Sequence, residues 1–414
     1  MSDRIILHAD MNNCYASIEM LHHPKLRGRP MAVGGSVEQR HGIILARNYE
    51  ARPYGIKVGQ ALWQARQKCP GLIIVPPNYD RYLRFGRLFR RILSDYSDLI
   101  ESFGLDECWM DVTGSRSLYG SGKSIADEIR KRVKFELGVT VSVGASYNKV
   151  FAKLGSDMKK PDATTVITKA NFKDLVWPLP VSDLLGVGRA TWSKLKPLGI
   201  LTIGDLARAE PKLLQGRLGK WGLYLSSYAN GMDFSPVKPV DYEESFKSVG
   251  NSTTCPRDIE NERDAQIVFL NLAESVAERM RDLGLMANTV QISLRTNELE
   301  WCERQMALSR PSMISTELAD AAMKLLREHY RWEKPLRSVG VRGTNLIPIE
   351  GVRQLSFLED EKRRERLELL EYAVDGIRRR FGHFAVMRAL LTTDKVLGKL
   401  DARADHIIHP VGYS

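Results

Sequence analysis

Three acidic residues stand where buried strands would be expected to carry apolar side chains. Asp10 ends the apolar stretch RIILHAD, and Asp106 and Glu107 stand side by side within SFGLDECWMDV. Carboxylates at the ends of neighbouring strands can converge on a divalent cation, and Mg²⁺ is usually held by one or two carboxylates together with substrate phosphates. Two such ions about 4 Å apart can activate an attacking hydroxyl and stabilise the leaving oxygen in a phosphoryl transfer. The three acids are therefore candidates for a two-metal site.

The two adjacent acids impose a condition on the backbone. Neighbouring residues of a strand point to opposite faces, so Asp106 and Glu107 reach the same ions only if the strand ends or twists beside them. A turn at Gly104 and Leu105 would allow this. A solvated turn whose acids bind nothing is the alternative, and this stretch alone leaves it open.

The chain is basic, with 61 Lys and Arg against 50 Asp and Glu among its 414 residues and a net charge of +11. Such an excess favours polyanionic partners, because neutralising phosphates releases their condensed counterions. On charge alone, a basic protein without such a partner fits equally well. Hydrophobic residues make up 43% and charged residues 27%. This composition predicts a packed fold, and the length predicts about two to four domains.

The cysteines and the apolar stretches exclude several classes of protein. The five cysteines are scattered and form no CxxC pair: Cys14, Cys69, Cys108, Cys255 and Cys302. This argues against a disulfide framework or a zinc ribbon and indicates a reducing compartment. The N-terminus MSDRIILHAD does not read as a signal peptide, and no stretch approaches about 18 uninterrupted apolar residues. We expect a cytoplasmic protein that does not bind membranes.

Strands and helices alternate through residues 1–165, which predicts an α/β or α+β core. From Leu179 to about Asp233 the pattern changes to short helices joined by Gly-rich turns. The stretch GMDFSPVKPVDYEESF has little periodicity and two prolines, so it is a candidate linker. A second alternation beyond it predicts a small α+β domain. The remainder, from Ile347, leads into the charged helix EDEKRRERLELLEYAVDGIRRRFG.

Four stretches of the sequence are more informative together than singly. They are DMNNCYASIE from Asp10, LARNYEARPYGIKVGQ from Leu45, FGLDECWMDV from Phe103 and SVGASYNKVFAKLGSDMKKPD from Ser142. In order and spacing they resemble the defining motifs of the Y-family (DinB/UmuC-type) translesion DNA polymerases. The resemblance runs from Arg4 to about Leu346 and then fits the clamp-binding segment of bacterial members.

The resemblance implies an α+β multidomain fold shaped as a right hand. The implied parts are a palm at 1–20 and 76–165, small fingers at 21–75, a thumb with a helix-hairpin-helix at 166–233, a linker at 234–245, an α+β little finger at 246–346, and a clamp-binding peptide with a C-terminal tail at 347–414. Small fingers would leave the nascent base pair loosely enclosed, which admits distorted templates and weakens discrimination.

For the acids, the resemblance implies two catalytic Mg²⁺ ions held by Asp10, Asp106 and Glu107, with the main-chain carbonyl of Met11 as a further ligand. Glu107 would lie nearest the primer 3′-hydroxyl. One position departs from the family pattern: many relatives have a second Asp where this chain has Asn12. Because Asn is uncharged, the affinity of the site for metal could differ.

Four further residues match positions that recognise the incoming nucleotide. Tyr15 falls where the family keeps an aromatic steric gate, whose rigid ring would clash with a ribose 2′-hydroxyl; a core tyrosine of the first helix is the alternative. Tyr49, Arg52 and Lys160 match the positions that grip the triphosphate. Arg offers a planar fork to phosphate oxygens and Lys a point charge. Without the other motifs, YEAR would be a weak signal and Lys160 an ordinary surface lysine.

Other residues are candidates for holding DNA. The stretch VSDLLGVGRATWSKLKPLGILTIGDLA resembles a helix-hairpin-helix, in which Gly186 and Gly188 let backbone amides approach a phosphate. Such contacts position a duplex without reading its bases; an ordinary helix–helix turn is the alternative. FKSVGNSTT and RSVGVRGTNL match the first and last strands of the little finger. In that domain, three basic residues either contact the DNA backbone or are solvated charges: Lys247, Arg337 and Arg342.

The stretch RQLSFLED follows the last predicted domain. Its residues Gln354, Leu355, Phe357 and Leu358 resemble the short peptide by which bacterial polymerases dock on the sliding clamp. In that peptide apolar side chains fill a groove and Gln anchors the backbone.

In many relatives the chain ends near this peptide, whereas here a tail continues to residue 414. Its residues Leu367, Leu370, Val374 and Ile377 are spaced to form one face of a helix, with the charges elsewhere. The tail could pack on the polymerase or bind a damage-response partner, and the sequence leaves both open.

The resemblance as a whole implies a low-fidelity DNA-directed DNA polymerase for translesion synthesis, acting as a monomer on primer–template DNA and dNTPs with the bacterial sliding clamp. We find no second acidic cluster of the exonuclease type, so we expect no proofreading. Two other classes stay open. A two-metal nuclease would share the acids but has no use for a steric gate or a triphosphate-binding Tyr/Arg pair. A non-catalytic DNA-binding scaffold of the same family would be expected to lose some of the acids.

Overall fold

The computed structural model describes residues 4–36, 40, 42–242, 245–350 and 361–402. These residues form two compact units. The first contains the described residues of Met1–Gly34 and Ile43–Glu243, and the second contains those of Gly35–Gly42 and Glu244–Ile407. Each unit combines helices with β-sheet, so the predicted α+β class is confirmed.

The elements of the first unit lie between residues 6 and 229. Its strands are β1 (Ile6–Met11), β2 (Met31–Gly34), β3 (Ile44–Arg47), β4 (Ile73–Val75), β5 (Ile100–Ser102), β6 (Glu107–Asp111), β7 (Val141–Ser146) and β8 (Thr164–Val166). Its helices are α1 (Cys14–His22), α2 (Leu62–Lys68), α3 (Tyr79–Ser94), α4 (Arg116–Tyr119), α5 (Gly122–Arg132), α6 (Lys149–Met158), α7 (Phe172–Val176), α8 (Arg189–Leu195), α9 (Ile203–Arg208), α10 (Pro211–Leu218) and α11 (Lys220–Ala229).

A five-stranded sheet in the order β5-β6-β1-β7-β8 organises this unit. Its middle strand, β1, is antiparallel to β6 and β7 and wholly buried. Leu7 and Ala9 pack on one face in a core shared with α3 and α5, while Ile6 packs on the other with Ala152 of α6. Gly144 lets α6 approach β7, because a Cβ there would collide with the main chain of Ala152. Helix α6 is thereby fixed against the strands that carry the acids.

The apolar stretch around Asp106 and Glu107 forms two strands rather than one. The stretch LIESFGLDECWMDVTG forms an antiparallel pair, β5 and β6, joined by a turn at Gly104, whose φ is +104°. This is the turn that the two adjacent acids required, and Leu105 within it is buried. The break is what places Asp106 outside the strand.

A smaller sheet in the order β3-β2-β4 lies within the predicted fingers. The turn after β3 is held by the buried side chain of Asn48, which accepts hydrogen bonds from the main-chain N–H groups of Met31 (3.0 Å) and Ala51 (3.2 Å). Asn48 also donates to the carbonyl of Arg29 (2.7 Å). A short polar side chain that satisfies several backbone groups fixes such a turn. This turn carries Tyr49.

Helices α7 to α11 form a small helical bundle, whose core also includes Val150, Phe151 and Leu154 of α6. Gly186 has φ +91° and lies against the ring of Trp221, where a Cβ would collide. The indole N–H of Trp221 donates to the carbonyl of Gly186 (3.2 Å). Part of the predicted linker is packed, since Val237 is buried in a cluster with Ile6 and Trp109.

The second unit contains β9 (Ser248–Ile259), α12 (Glu262–Asp282), β10 (Leu285–Thr296), β11 (Trp301–Ser312), α13 (Ser315–His329), β12 (Leu336–Pro348) and α14 (Glu361–Phe381). Its antiparallel sheet runs β11-β10-β12-β9. Strand β11 was not predicted from the sequence, because this edge strand has a single buried residue and lacks an apolar run. No helix in the described parts of the chain is both long and apolar enough to cross a membrane.

The part of the tail that is described, residues 361–402, packs on the second unit. Leu391, Leu397 and Leu400 join its core beside α12. Of the two alternatives that the sequence leaves open, the structure shows packing on the chain itself. The face of α14 that becomes buried was not predicted, however, since it is the charged one.

The buried residues of α14 are Glu371, Asp375 and Arg378. The apolar residues predicted to share a face are half-buried, as for Leu367 and Val374, or exposed, as for Leu370 (49%) and Ile377 (40%). Apolar periodicity therefore identified the helix but not the face by which it docks.

Candidate active site

The strand register brings two of the predicted metal ligands together. Asp10 of β1 is paired with Glu107, the first residue of β6. Asp106 lies in the turn before β6, and its carbonyl accepts a hydrogen bond from the N–H of Met11 (3.0 Å). Because Asp106 precedes the strand, alternation does not force it to the face opposite Glu107. The strand thus begins between Asp106 and Glu107, which is the condition for both side chains to reach the same ions.

Two lysines from α6 and the loop after it face these carboxylates. Lys160 donates to Oδ2 of Asp10 (2.7 Å) and also pairs with Asp157 (2.8 Å). Lys153 forms an ion pair with Oε2 of Glu107. Each of the paired acids thus has a cationic partner that a metal ion or a phosphate could replace or share.

Sequence reasoning did not single out Lys153 or His8. His8 is fully buried on the α6 side of β1, with Nδ1 2.8 Å from the hydroxyl of Ser156 and Nε2 3.3 Å from Oε2 of Glu107. Burial lowers the pKa of His8 to about 4. A detectable signal existed for both residues: His8 is two residues before Asp10 on one strand face, and Lys153 lies one helical turn after Lys149.

Burial and mutual repulsion change how readily the acids ionise. Burial, followed by the charge of Glu107, raises the pKa of Asp10 to about 7 and that of Asp106 to about 6. Burial also disfavours the charged form of Glu107, but contacts with His8 and Lys153 outweigh it and lower its pKa. Acids that crowd each other in this way are a common feature of functional sites.

These acids fit a magnesium site of the open kind. In the described residues, no group of three or more His, Cys, Asp or Glu side chains is already gathered as a metal cage. Mg²⁺ does not require one, since it keeps several waters and binds through one or two carboxylates and substrate phosphates. Asp10, Asp106 and Glu107 supply hard oxygen donors. Burial, followed by repulsion from Glu107, raises the pKa of Asp10, and a bound cation would oppose both effects. Met11, whose carbonyl is the predicted fourth ligand, ends β1.

Tyr15, the predicted steric gate, belongs to an aromatic cluster. It lies in the first turn of α1 and stacks on Tyr82 with ring centroids 4.2 Å apart and planes 9° from parallel. Tyr79 contacts it edge-on at 6.2 Å. The hydroxyl of Tyr82 donates to the buried carboxylate of Glu19 (2.8 Å). Tyr15 is half-buried, so its ring is held on one side, and its role as a gate stays a prediction.

The predicted triphosphate contacts Tyr49 and Arg52 lie in the turn after β3. The guanidinium of Arg52 stacks over the ring of Tyr49 at 4.1 Å and donates to Oδ1 of Asn13 (3.0 Å). The hydroxyl of Tyr49 is buried and finds no acceptor for its proton among the described residues. An unpaired buried hydroxyl is costly and calls for an acceptor. A phosphate oxygen would supply that acceptor.

Asn12, where the family pattern is broken, makes hydrogen bonds of its own. It is fully buried, donates to the hydroxyl of Ser142 (2.9 Å) and accepts from the N–H of Asp162 (2.9 Å). Both ends of its amide are therefore occupied by protein groups.

The predicted DNA contacts lie elsewhere in the chain. Gly188 precedes α8, and Gly186 forms the turn braced by Trp221. In the second unit, Lys247 and Arg342 are exposed and Arg337 is half-buried. The predicted clamp-binding residues Gln354, Leu355, Phe357 and Leu358 lie outside the described residues.

Comparison with known proteins gives the class of this chain. The impB/mucB/samB family matches at residues 9–157, and its C-terminal domain matches at residues 246–357. The chain belongs to the impB/mucB/samB family, and the resemblance to Y-family polymerases drawn from its motifs is confirmed.

Particular relatives agree with this class. DNA polymerase IV of Acetivibrio thermocellus is 50% identical over 397 residues, which cover 96% of this chain and 100% of that protein. DNA polymerase IV 1 of Bacillus subtilis is 41% identical over 377 residues, 89% of each chain. A solved Y-family DNA polymerase chimera of Dbh and Dpo4 superposes with a TM-score of 0.72 at 24% identity, covering 83% of this chain and 99% of that one. The predicted right-hand fold is thus confirmed.

Proposed function

We propose that this protein is a DNA-directed DNA polymerase for translesion synthesis, which adds dNTPs to a primer 3′-hydroxyl by phosphoryl transfer. The observation that carries the proposal is the meeting of Asp10 and Glu107 across β1 and β6, with Lys160 bonded to Asp10. This arrangement joins candidate metal ligands to a candidate triphosphate contact. The relatives named DNA polymerase IV support the same activity.

Asp10, Asp106, Glu107 and the carbonyl of Met11 would hold two Mg²⁺ ions, whose charge activates the 3′-hydroxyl and stabilises the leaving oxygen. Lys160 would share its hydrogen bonds between Asp10 and the triphosphate.

Tyr49 and Arg52 complete the triphosphate grip in this proposal. The unpaired hydroxyl of Tyr49 would donate to a phosphate oxygen, and Arg52 would add charge-assisted bonds. Tyr15, stacked on Tyr82, would exclude a ribose 2′-hydroxyl. In this way the chain's own residues fix the sugar and the phosphates before the reaction.

In this proposal, residues outside the active site hold the DNA. The turn at Gly186 and Gly188 would meet the backbone of the duplex, and Lys247, Arg337 and Arg342 would add contacts from the second unit. The stretch containing Gln354, Leu355, Phe357 and Leu358 would dock on the bacterial sliding clamp. The protein would act as a cytoplasmic monomer, with low fidelity and without proofreading.

Primer extension tests this function. Wild-type protein with Mg²⁺ and dNTPs is expected to lengthen a labelled primer on undamaged and abasic templates, and Asp106→Ala is expected to stop extension. Asp174→Ala, at an exposed position of α7, serves as a matched control that should retain activity. No extension by the wild type, or full extension by Asp106→Ala, would contradict the proposal. Shortening of the primer instead would favour the two-metal nuclease.

A further inference from the structure

Asn12 ties the end of β1 to three other parts of its unit. Its main-chain N–H donates to the carbonyl of Thr140 (2.9 Å), and its own carbonyl accepts from the hydroxyl of Ser17 (2.7 Å). Its side-chain Nδ2 donates to Ser142 and its Oδ1 accepts from the N–H of Asp162, both at 2.9 Å. All these groups are satisfied in a residue without solvent exposure, so the position of Asn12 is closely determined.

The bond to Asp162 matters most, because Asp162 is two residues after Lys160. The backbone of Asp162 is in the left-handed region, with φ +50°. Its carboxylate is held by Arg130 of α5 (2.8 Å) and Lys134 (3.0 Å). Its main chain is held by Asn12. The loop that carries Lys160 is therefore fixed at Asp162 through both side chain and backbone.

The end of β1 and the loop after α6 are joined by two hydrogen bonds. Asp10 receives the hydrogen bond from Lys160, and Asn12, two residues later, receives the one from Asp162. Two parallel links thus connect the end of β1 to the same loop. The link through Lys160 ends in a charge that a ligand can share, whereas the link through Asn12 joins two neutral groups, its own amide and the main-chain N–H of Asp162.

We propose that Asn12 is a positioning residue for the incoming nucleotide: its Oδ1 fixes the main chain at Asp162 so that Lys160 is directed to the triphosphate beside Asp10. The inference rests on the proposed polymerase function and on Lys160 as a triphosphate contact. It assigns Asn12 no contact with metal or substrate. It therefore predicts that loss of the amide acts on nucleotide binding and acts only through Lys160.

Single-nucleotide insertion kinetics test this role. Asn12→Ala is expected to raise the KM for dNTP roughly tenfold, the size of effect that loss of one buried hydrogen bond can have, and to leave the KM for primer–template unchanged. Asn12→Asp keeps an acceptor for Asp162, and the hydroxyl of Ser142 can donate to its other oxygen. It is expected to hold the dNTP KM near that of wild type. Ser142→Ala removes the other partner and is the matched control.

A double-mutant cycle gives the decisive result. If Asn12 acts through Lys160, Asn12→Ala adds nothing to the dNTP KM in a Lys160→Ala background. Additive effects, or an equal rise in the KM for DNA, would overturn the inference while leaving the polymerase function standing. A wild type without extension would overturn both. Thermal unfolding verifies folding, and Asn12→Leu, whose side chain branches at Cγ as that of Asn does, replaces Asn12→Ala if that variant does not fold.

Discussion

Lys160 donates a 2.7 Å hydrogen bond to Asp10 from 150 residues further along the chain. A candidate triphosphate contact and a candidate metal ligand are thus bonded to each other. Each neutralises the other, and both become available when a metal ion and a triphosphate arrive together. Burial, followed by the charge of Glu107, raises the pKa of Asp10. The positive charge of Lys160 therefore compensates these two effects only in part. Several consequences can be measured.

The stabilising effect of Mg²⁺ is expected to increase with pH. Burial raises the pKa of Asp10 to about 7 and of Asp106 to about 6. A raised carboxyl pKa means that the folded chain retains protons that the unfolded chain releases. Without metal, this contribution to stability is complete below about pH 4 and is lost as pH rises through about 6 to 7. Mg²⁺ requires the ionised acids, so its binding gains strength over the same window.

The measurement is the change in Tm on adding Mg²⁺ at pH 5.5 and at pH 8, with no nucleotide present. We expect a clearly larger increase at pH 8, and no increase at either pH for the double variant Asp10→Ala/Asp106→Ala. Equal increases at both pH values in the wild type would contradict the assignment of these acids as metal ligands.

Tyr15→Ala is expected to admit ribonucleotides. The ring of Tyr15 is fixed by its stack on Tyr82 at 4.2 Å, so it cannot easily move aside for a 2′-hydroxyl, and removing it should lower the preference for dNTP over rNTP roughly hundredfold. Tyr15→Phe retains the ring and should keep the preference. The ratio of kcat/KM for the two nucleotides is the measurement, and an unchanged ratio in Tyr15→Ala would return Tyr15 to the role of a core tyrosine.

The sequence predicted the acids and their class of chemistry because strand patterning and motif order depend on short stretches. It could not supply the partners of those acids. Lys153 and His8 reach Glu107 only through the packing of α6 on β7 and the pairing of β1 with β6. Likewise, Asn12 appeared as a missing charge, whereas the fold uses its neutral amide to bond Asp162. Short sequence motifs carry no information on contacts between residues that are distant in the chain.

Residues of the clamp-binding prediction can be tested apart from the catalytic site. Replacing Gln354, Leu355 and Phe357 together with Ala should abolish stimulation of synthesis by the bacterial sliding clamp and leave clamp-free primer extension unchanged. The reason is that the prediction assigns these side chains to a docking peptide and to none of the catalytic groups. Processivity on a primed circular template, with and without clamp, is the measurement. Stimulation that survives the triple substitution would contradict the prediction.

The docked tail is expected to depend on a buried ion pair. Arg281 of α12 donates to both oxygens of Asp375 on α14 (2.7 and 2.8 Å) and to the carbonyl of Met313 (2.8 Å). It also lies 3.1 Å from Glu371. The contact between α12 and α14 is unusual because charged residues of both helices face each other and are buried there. Removing only the cation leaves the buried carboxylate of Asp375 without the partner of both its oxygens, which typically costs about 3–5 kcal/mol. Glu371 keeps its bond from Arg388 (2.8 Å).

Arg281→Met should therefore release α14 while the sheet of the second unit stays folded. Hydrogen exchange is the measurement: amides of α14 should lose protection, and those of β10 should keep most of theirs. Arg379→Ala is the matched control, because Arg379 is 55% exposed and pairs with Asp282 at the surface, where such pairs contribute at most about 1 kcal/mol. Equal loss of protection in α14 and β10 would mean that the tail is an inseparable part of that core. Unchanged protection in Arg281→Met would show that other contacts, such as the buried Arg378–Glu274 ion pair (2.9 Å) and the buried side chains of Leu391 and Leu397, hold the tail in place.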